Sequence, residues 1–203
     1  EIELDPELHR AEDVWHAFVP GLGAGTEYGW RVTPGWNATP PPRAVRPLLI
    51  DPYAKGIAGS EAWGDRAAAQ RPRRSVVVDL QTYDWRDDRH PATALERSVF
   101  YELHVRLFTA HPSSGVQHPG TFAGLAEKAT WLRKLGVTAV QLMPVAEFDE
   151  TDNPRINPVD GRALLNVWGY APLAFMAPRT AYAAAANAAG AIREFRDMVR
   201  AMH

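Results

Sequence analysis

The hydrophobic pattern changes character along the chain. Near the start, DVWHAFVPGL (residues 13–22) alternates apolar and polar side chains up to a glycine-rich turn, and TEYGWRV (26–32) resumes the alternation. That period of two predicts a pair of strands joined as a β-hairpin. LLIDPYAKGI (48–57) reads as a short apolar strand broken at Asp51-Pro52, and RSVVVDL (74–80) as a strand of β-branched residues. Between them TPGWNATPPPRAVRP (33–47) is punctuated by Pro, Gly and Asn and predicts a loop. Trp15, Tyr28, Trp30 and Trp36 read as core or rim of a β-sandwich.

After the charged connector YDWRDDRHPATALERS (83–98) the period lengthens. VFYELHVRLF (99–108) predicts one apolar strand. TFAGLAEKATWLRKLG (121–136) places Phe122, Leu125, Ala129 and Leu132 on one face of a helix, with Thr121 as N-cap and Gly136 as the glycine that ends it. VTAVQLMPV (137–145) is apolar almost throughout, as parallel strands covered on both faces are. AIREFRDMVRAMH (191–203) aligns Ile192, Phe195, Val199 and Met202 on a second helical face, and the Ala-rich run from Ala181 leads into it. Strand, helix, strand, loop and helix predict parallel βα units. In such sheets ligands gather beyond the carboxyl ends of the strands, where the long insert Ala146–Tyr170 falls. The aromatic stretch LLNVWGYAPLAFMAPRTAYA (164–183) carries Pro172 and Pro178 and reads as an irregular loop, with Gly169 bending the backbone beside Tyr170.

Composition narrows the function classes. A net charge of −2 with arginines spread along the chain gives no footprint for nucleic acid. The absence of cysteine excludes disulfides and cysteine-based zinc sites. No apolar run approaches the roughly 18 residues of a membrane span, and the N-terminus carries no signal-peptide pattern, so a soluble cytoplasmic protein with no membrane partner is expected. The acidic residues Asp149, Glu150 and Asp152 in EFDETDNPRINPVD (147–160) depart from calcium-loop spacing and read as a solvated loop. His104, His111 and His118 fit no zinc motif, and His104 reads as a satisfied residue of the strand wall. No metal or cofactor is expected. Asn-Ala-Thr at Asn37 and the PPPR run at 40–43 read as ordinary loop sequence.

FYELHVRLFTAHPSSGV (100–116), GTFAGLAEKATWLRKLGVTAVQLMPVAEF (120–148) and NVWGYAPLAFMAPRTAYA (166–183) together resemble the α-amylase superfamily of glycoside hydrolases, and within it the isoamylase-type glycogen debranching enzymes. The upstream stretch from Asp13 to Ile57 is similar to their starch-binding-like N-terminal module. The resemblance implies a partial β-sandwich over 1–90, followed over 91–203 by the first βα units of a TIM (β/α)8 barrel. It implies glycogen or a branched α-glucan as partner, cleaved at α-1,6 linkages by a retaining double displacement through a carboxylate nucleophile and an acid. It further implies that Tyr170 is the platform beneath the reacting sugar and that Trp168 lines or supports the same pocket.

Family barrels carry their catalytic carboxylates on later strands. Ser98–His203 supplies 106 residues, against about 250 in a typical barrel. No catalytic residue is therefore assigned, and the isolated 203-residue chain is expected to be inactive. The family order also places further sandwich strands before Glu1. Two other enzyme readings share MPVAEF (143–148) and YELHV (101–105): a trehalose-forming hydrolase and a branching transferase. The long insert before Trp168 favours debranching. A non-catalytic glucan-binding fragment is the reading from a different class.

Overall fold

The computed structural model describes residues 1–32 and 47–203. Residues 33–46 of the predicted loop, with Trp36, Asn37 and the PPPR run, lie outside the described residues. In the upstream half, β1 (Arg10–Ala11) pairs antiparallel with β2 (Val14–Trp15). β3 (Glu27–Tyr28) and β4 (Gly56–Ala58) flank the central β5 (Arg74–Val76), both antiparallel to it, and α1 (Arg66–Ala69) lies between β4 and β5 in sequence.

The hairpin expected between the first two stretches does not form. The segment separating them holds Gly21 and Gly25 at φ 78° and 89°, turns that carry the chain away from β2. Gly25 N–H then donates to Val77 O at 2.8 Å, and Val77 N–H to Thr26 O at 2.9 Å, which docks β3 on β5 instead. The Asp51-Pro52 break is a fixed corner. Asp51 accepts from Tyr28 OH at 2.8 Å while its own N–H donates to Ser75 Oγ at 2.8 Å. Tyr28 and Trp30 are half-buried, in line with a rim position, whereas Trp15 is exposed.

Downstream, β6 (Phe100–Leu103) runs parallel to β7 (Ala139–Leu142), with Phe100 opposite Ala139 and Leu103 opposite Leu142. Between them come α2 (Val105–Thr109), α3 (Phe122–Ala126) and α4 (Ala129–Lys134). The predicted strand 99–108 is therefore half strand and half helix, because the His104 ring accepts the Leu107 N–H and caps α2. The predicted helix 121–136 is split at Glu127–Lys128. The Lys128 N–H reaches back only three residues to Leu125 O, while the Glu127 carboxylate accepts from Gln117 N–H and the Lys128 ammonium donates to Ser114 O. Thr121 caps α3 through Gly124 N–H, and Gly136 follows α4 at φ 90°, both as predicted.

β7 is half-buried rather than covered on both faces; Gln141 is exposed and donates across to Glu102. β8 (Ala146–Phe148) pairs antiparallel with β9 (Pro172–Pro178) through two register shifts. The aromatic stretch is thus partly a strand, with its two prolines confined to the strand ends, where a missing N–H is tolerated. α5 (Ala188–Met202) is capped by Asn187. Its face at Ile192, Phe195, Val199 and Met202 turns inward, as the spacing predicts.

The main core joins Leu103 of β6, Val105 of α2, Phe122 and Leu125 of α3, Leu132 of α4, Phe148 of β8, Tyr182 and Met198. A smaller cluster of Ala54, Ile57, Ala174 and Ala177 ties β4 to β9. Among the described residues no helix is long and apolar enough to cross a membrane. Close packing within the first core has a direct consequence at Gly124, where an added Cβ would sit 2.1 Å from the backbone oxygen of His118. Gly124→Ala is expected to destabilise the chain by about 1–3 kcal/mol through overpacking, read from the urea unfolding midpoint. An unchanged midpoint would show that the 118–124 turn gives way freely.

Candidate functional site

The insert between β8 and β9 is held from below. Ile156 bridges Ala163, and Asn157 N–H donates to Arg162 O at 2.8 Å, so its outer part doubles back on itself. Its return limb is fixed residue by residue. Arg66 donates to Leu164 O at 2.8 Å, Asn153 to Leu165 O at 3.2 Å, and Asn166 N–H to Glu150 O at 2.7 Å. His104 Nε2 lies 2.8 Å from Val167 O, and Gly169 N–H donates to Asn166 Oδ1 at 3.2 Å.

The limb ends in two exposed rings. Trp168 is 64% exposed and Tyr170 65%, with ring centroids 6.3 Å apart and planes at 75°. Gly169 between them is buried at φ 78°, and a Cβ there would meet the Phe148 ring at 2.8 Å. Only glycine satisfies both the left-handed turn and the close approach. His104 directly follows β6, so its bond to Val167 sets the aromatic pair beside the carboxyl end of that strand. Both residues expected to carry substrate contact are thus neighbours on one surface. Large exposed apolar rings on an immobilised backbone suit a ligand with flat apolar faces.

Beneath this surface lies a network that the sequence did not reveal. Arg179 is fully buried and pairs with the carboxylates of Glu147 and Glu150, themselves 0% and 3% exposed. Glu147 also accepts Thr180 N–H at 3.0 Å, and Glu150 accepts Gly64 N–H at 2.7 Å. The Arg179 guanidinium lies 5.0 Å from the centroid of Phe148. Burial pushes the Glu147 carboxyl above its ordinary value, while Arg179 and the Thr180 amide pull against it.

Next to it, Asp149 pairs with Arg73 at 2.9 Å. Burial alone would raise the Asp149 carboxyl, but hydrogen bonds from Arg73 and Thr151 hold it at about 2. The expected solvated acidic loop is therefore in large part an ion-pair network, because a carboxylate withdrawn from water needs a cation. The available signal was Glu147 inside the apolar run Val145–Phe148, and Arg179 between Pro178 and Thr180.

His104 is satisfied, as expected. Its Nδ1 accepts from Leu107 N–H at 3.1 Å, so Nε2 carries the ring proton and donates to Val167 O, with Tyr182 OH at 3.0 Å. Burial holds its pKa below the ordinary value, outweighing the bond to Val167. A cavity of about 620 Å³ lies elsewhere, between β5 and α5 over Val76, Val78 and Ile192, and its lining includes neither Trp168 nor Tyr170.

Known proteins resemble the chain along its length. Residues 1–54 match the family model described as carbohydrate-binding module 48, the isoamylase N-terminal domain. The chain is 36% identical to isoamylase 1, chloroplastic, of Arabidopsis thaliana, covering 100% of the chain and 27% of that protein. It is 39% identical to the glycogen debranching enzyme of Cronobacter sakazakii, covering 96% and 31%. Among solved structures, the pullulanase of Anoxybacillus sp. LM18-11 complexed with maltotriose superposes with a TM-score of 0.58 at 27% identity, over 78% of this chain and 22% of that one. The pullulanase of Paenibacillus barengoltzii in complex with maltohexaose and α-cyclodextrin also gives 0.58, at 28% identity over 76% and 24%.

Fold and sequence therefore agree in placing the chain beside the isoamylases, glycogen debranching enzymes and pullulanases. The chain is related along its whole length to the isoamylase-type debranching enzymes of the α-amylase superfamily, and it spans less than a third of the length of those relatives.

Two stability measurements test the buried groups. Arg179→Met leaves two buried carboxylates without their cation and is expected to cost about 3–5 kcal/mol. Adding Glu147→Gln and Glu150→Gln should recover part of that loss, and no recovery would mean that Arg179 acts by packing alone. His104 gives a pH effect of defined sign. Its folded pKa lies below the 6.5 of the free side chain, so the unfolded chain binds the proton first as pH falls. The stability it contributes is complete above about pH 6.5 and declines as pH drops toward its own lower pKa. The urea midpoint should therefore fall more between pH 7.5 and 5.5 in the wild type than in His104→Gln; the other histidines, common to both, cancel.

Proposed function

We propose that the chain belongs to an α-1,6-glucan debranching hydrolase acting on glycogen or a related branched α-glucan. In this reading residues 1–90 form its carbohydrate-binding-type β-sandwich and residues 91–203 the first βα units of its (β/α)8 barrel. Tyr170 is the platform under the sugar at the cleaved bond and Trp168 lines the same pocket, in a cytoplasmic protein. The observation that carries the reading is the exposed Trp168–Tyr170 pair, anchored by His104 at the carboxyl end of β6 in a chain related throughout to isoamylases.

The chemistry assigned to these residues is binding and orientation. A pyranose ring offers a C–H face that stacks on an aromatic ring, a contact worth about 0.5–1.5 kcal/mol beyond area burial if it behaves as aromatic pairs do. Held rigidly, the platform fixes the sugar at its reacting bond and converts binding energy into orientation. Hydrolysis with retention would then use a carboxylate nucleophile and a carboxylic acid flanking that bond. Neither is assigned to residues 1–203.

The test uses the full-length gene product, assayed on glycogen and on linear maltodextrin. Faster release from the branched substrate is expected, and faster release from the linear one overturns debranching. Binding of branched glucan without turnover would favour a non-catalytic module. In the same assay Tyr170→Ala should lower kcat/KM by about a hundredfold, Tyr170→Phe should be milder because the ring face survives, and Tm should hardly move. Near-normal kinetics with a large drop in Tm would mean that Tyr170 merely packs.

A further inference from the structure

The aromatic pair is exposed, yet its backbone is tied to buried groups, and the ties are unequal. At Asn166 the partner is a main-chain oxygen, that of Glu150. At Val167 the partner is a side chain, the His104 ring, 95% buried and carried by a different element. This bond crosses from the end of β6 to the residue immediately before Trp168.

We propose that His104 is a positioning residue for the glucan platform: its Nε2–H holds Val167 O, and so fixes the orientation of Trp168 and Tyr170, while its Nδ1 holds the first turn of α2. The inference rests on the platform reading above. The imidazole performs both tasks because its two nitrogens are committed in opposite senses. Nδ1 accepts from Leu107 N–H at 3.1 Å, which leaves the proton on Nε2, 2.8 Å from Val167 O. Tyr182 OH, at 3.0 Å from Nε2, and the edge-on Tyr182 ring bound the imidazole on one side. Tyr182 is itself fully buried and stacks on Trp63 at 5.8 Å. The ring therefore cannot rotate away without opening the core. Gly169 completes the device: packed against Phe148, it allows the backbone to turn so that the residues on either side both face outward.

The two bonds separate by substitution. His104→Asn places an amide oxygen near the Nδ1 position, where it keeps the Leu107 cap, but it does not reach Val167. His104→Gln places an amide N–H near the Nε2 position, where it keeps the Val167 bond, but it gives up the cap. Hydrogen exchange on the full-length gene product reads both ends. His104→Asn should speed exchange at Gly169 by about tenfold and leave Leu107 protected, and His104→Gln should do the reverse.

In the full-length gene product, His104→Asn should lower kcat/KM about tenfold or more, with His104→Gln close to wild type at a similar Tm. Equal exchange at Gly169 in the two variants overturns the proposal. So does equal kinetics with losses that track Tm. Should either variant fail to fold, the wild-type ring decides: ¹⁵N shifts must show the Nε2–H tautomer, and Nδ1–H overturns the assignment. Tyr170→Ala, run beside them, keeps the two readings apart. A crossed exchange pattern with normal Tyr170→Ala kinetics supports the clasp and overturns the platform.

Discussion

Arg179 sits at zero exposure between two carboxylates, and much of the arrangement follows from that placement. A charge moved into the interior loses several kcal/mol of hydration, which is recovered only with good geometry and with the remaining lone pairs satisfied. Satisfying Glu147 requires the Thr180 amide after β9, and satisfying Glu150 requires the Gly64 amide from the upstream half. Three separate stretches of chain, at Gly64, Glu147–Glu150 and Arg179–Thr180, must therefore be in place together. The same Glu150 lends its main-chain oxygen to Asn166, so the network continues into the limb that bears Trp168 and Tyr170.

That continuity explains how two large rings stay exposed on an ordered loop. Ordering a loop costs entropy, and exposing apolar rings to water forgoes burial. Both costs are offset from beneath, by Gly169 against Phe148, by His104 on Val167 and by Arg66 on Leu164 O. A surface ordered in advance spends no binding energy on ordering itself. Burial below and exposure above are two sides of one construction.

The sequence was legible where a local rule acted alone. Thr121, Gly136 and the inward face of α5 follow from capping chemistry and helical period, and the structure has them. It was illegible where a bond outside the helical or strand period intervened, from a side chain to a backbone or between distant backbones. His104 turned half of a predicted strand into helix, Glu127 and Lys128 broke a helix by reaching back to residues 114–118, and Val77 drew β3 away from β2. The acidic loop was misread for the same reason, since composition counts charges but does not pair them. Tyr170 and Trp168 were picked out by resemblance, and their exposure on neighbouring positions is compatible with the role it suggested. His104 was correctly read as a satisfied residue, but what it satisfies could not be known from its place in the sequence.

The contacts between the two halves give the upstream residues a mechanical part. Ile57 of β4 packs with Ala174 and Ala177 of β9, and its carbonyl accepts from Thr180 Oγ1 at 3.0 Å. A few residues on, Gly64 reaches Glu150, and Arg66 donates to both Thr151 O and Leu164 O. These bonds converge on the two ends of the insert, next to the aromatic limb rather than at some remote surface. Loosening residues 57–66 would therefore act first on the Glu150–Asn166 link and through it on the orientation of Trp168. The upstream residues can in this way brace the aromatic limb, and the bracing requires only that β4 remain docked on β9.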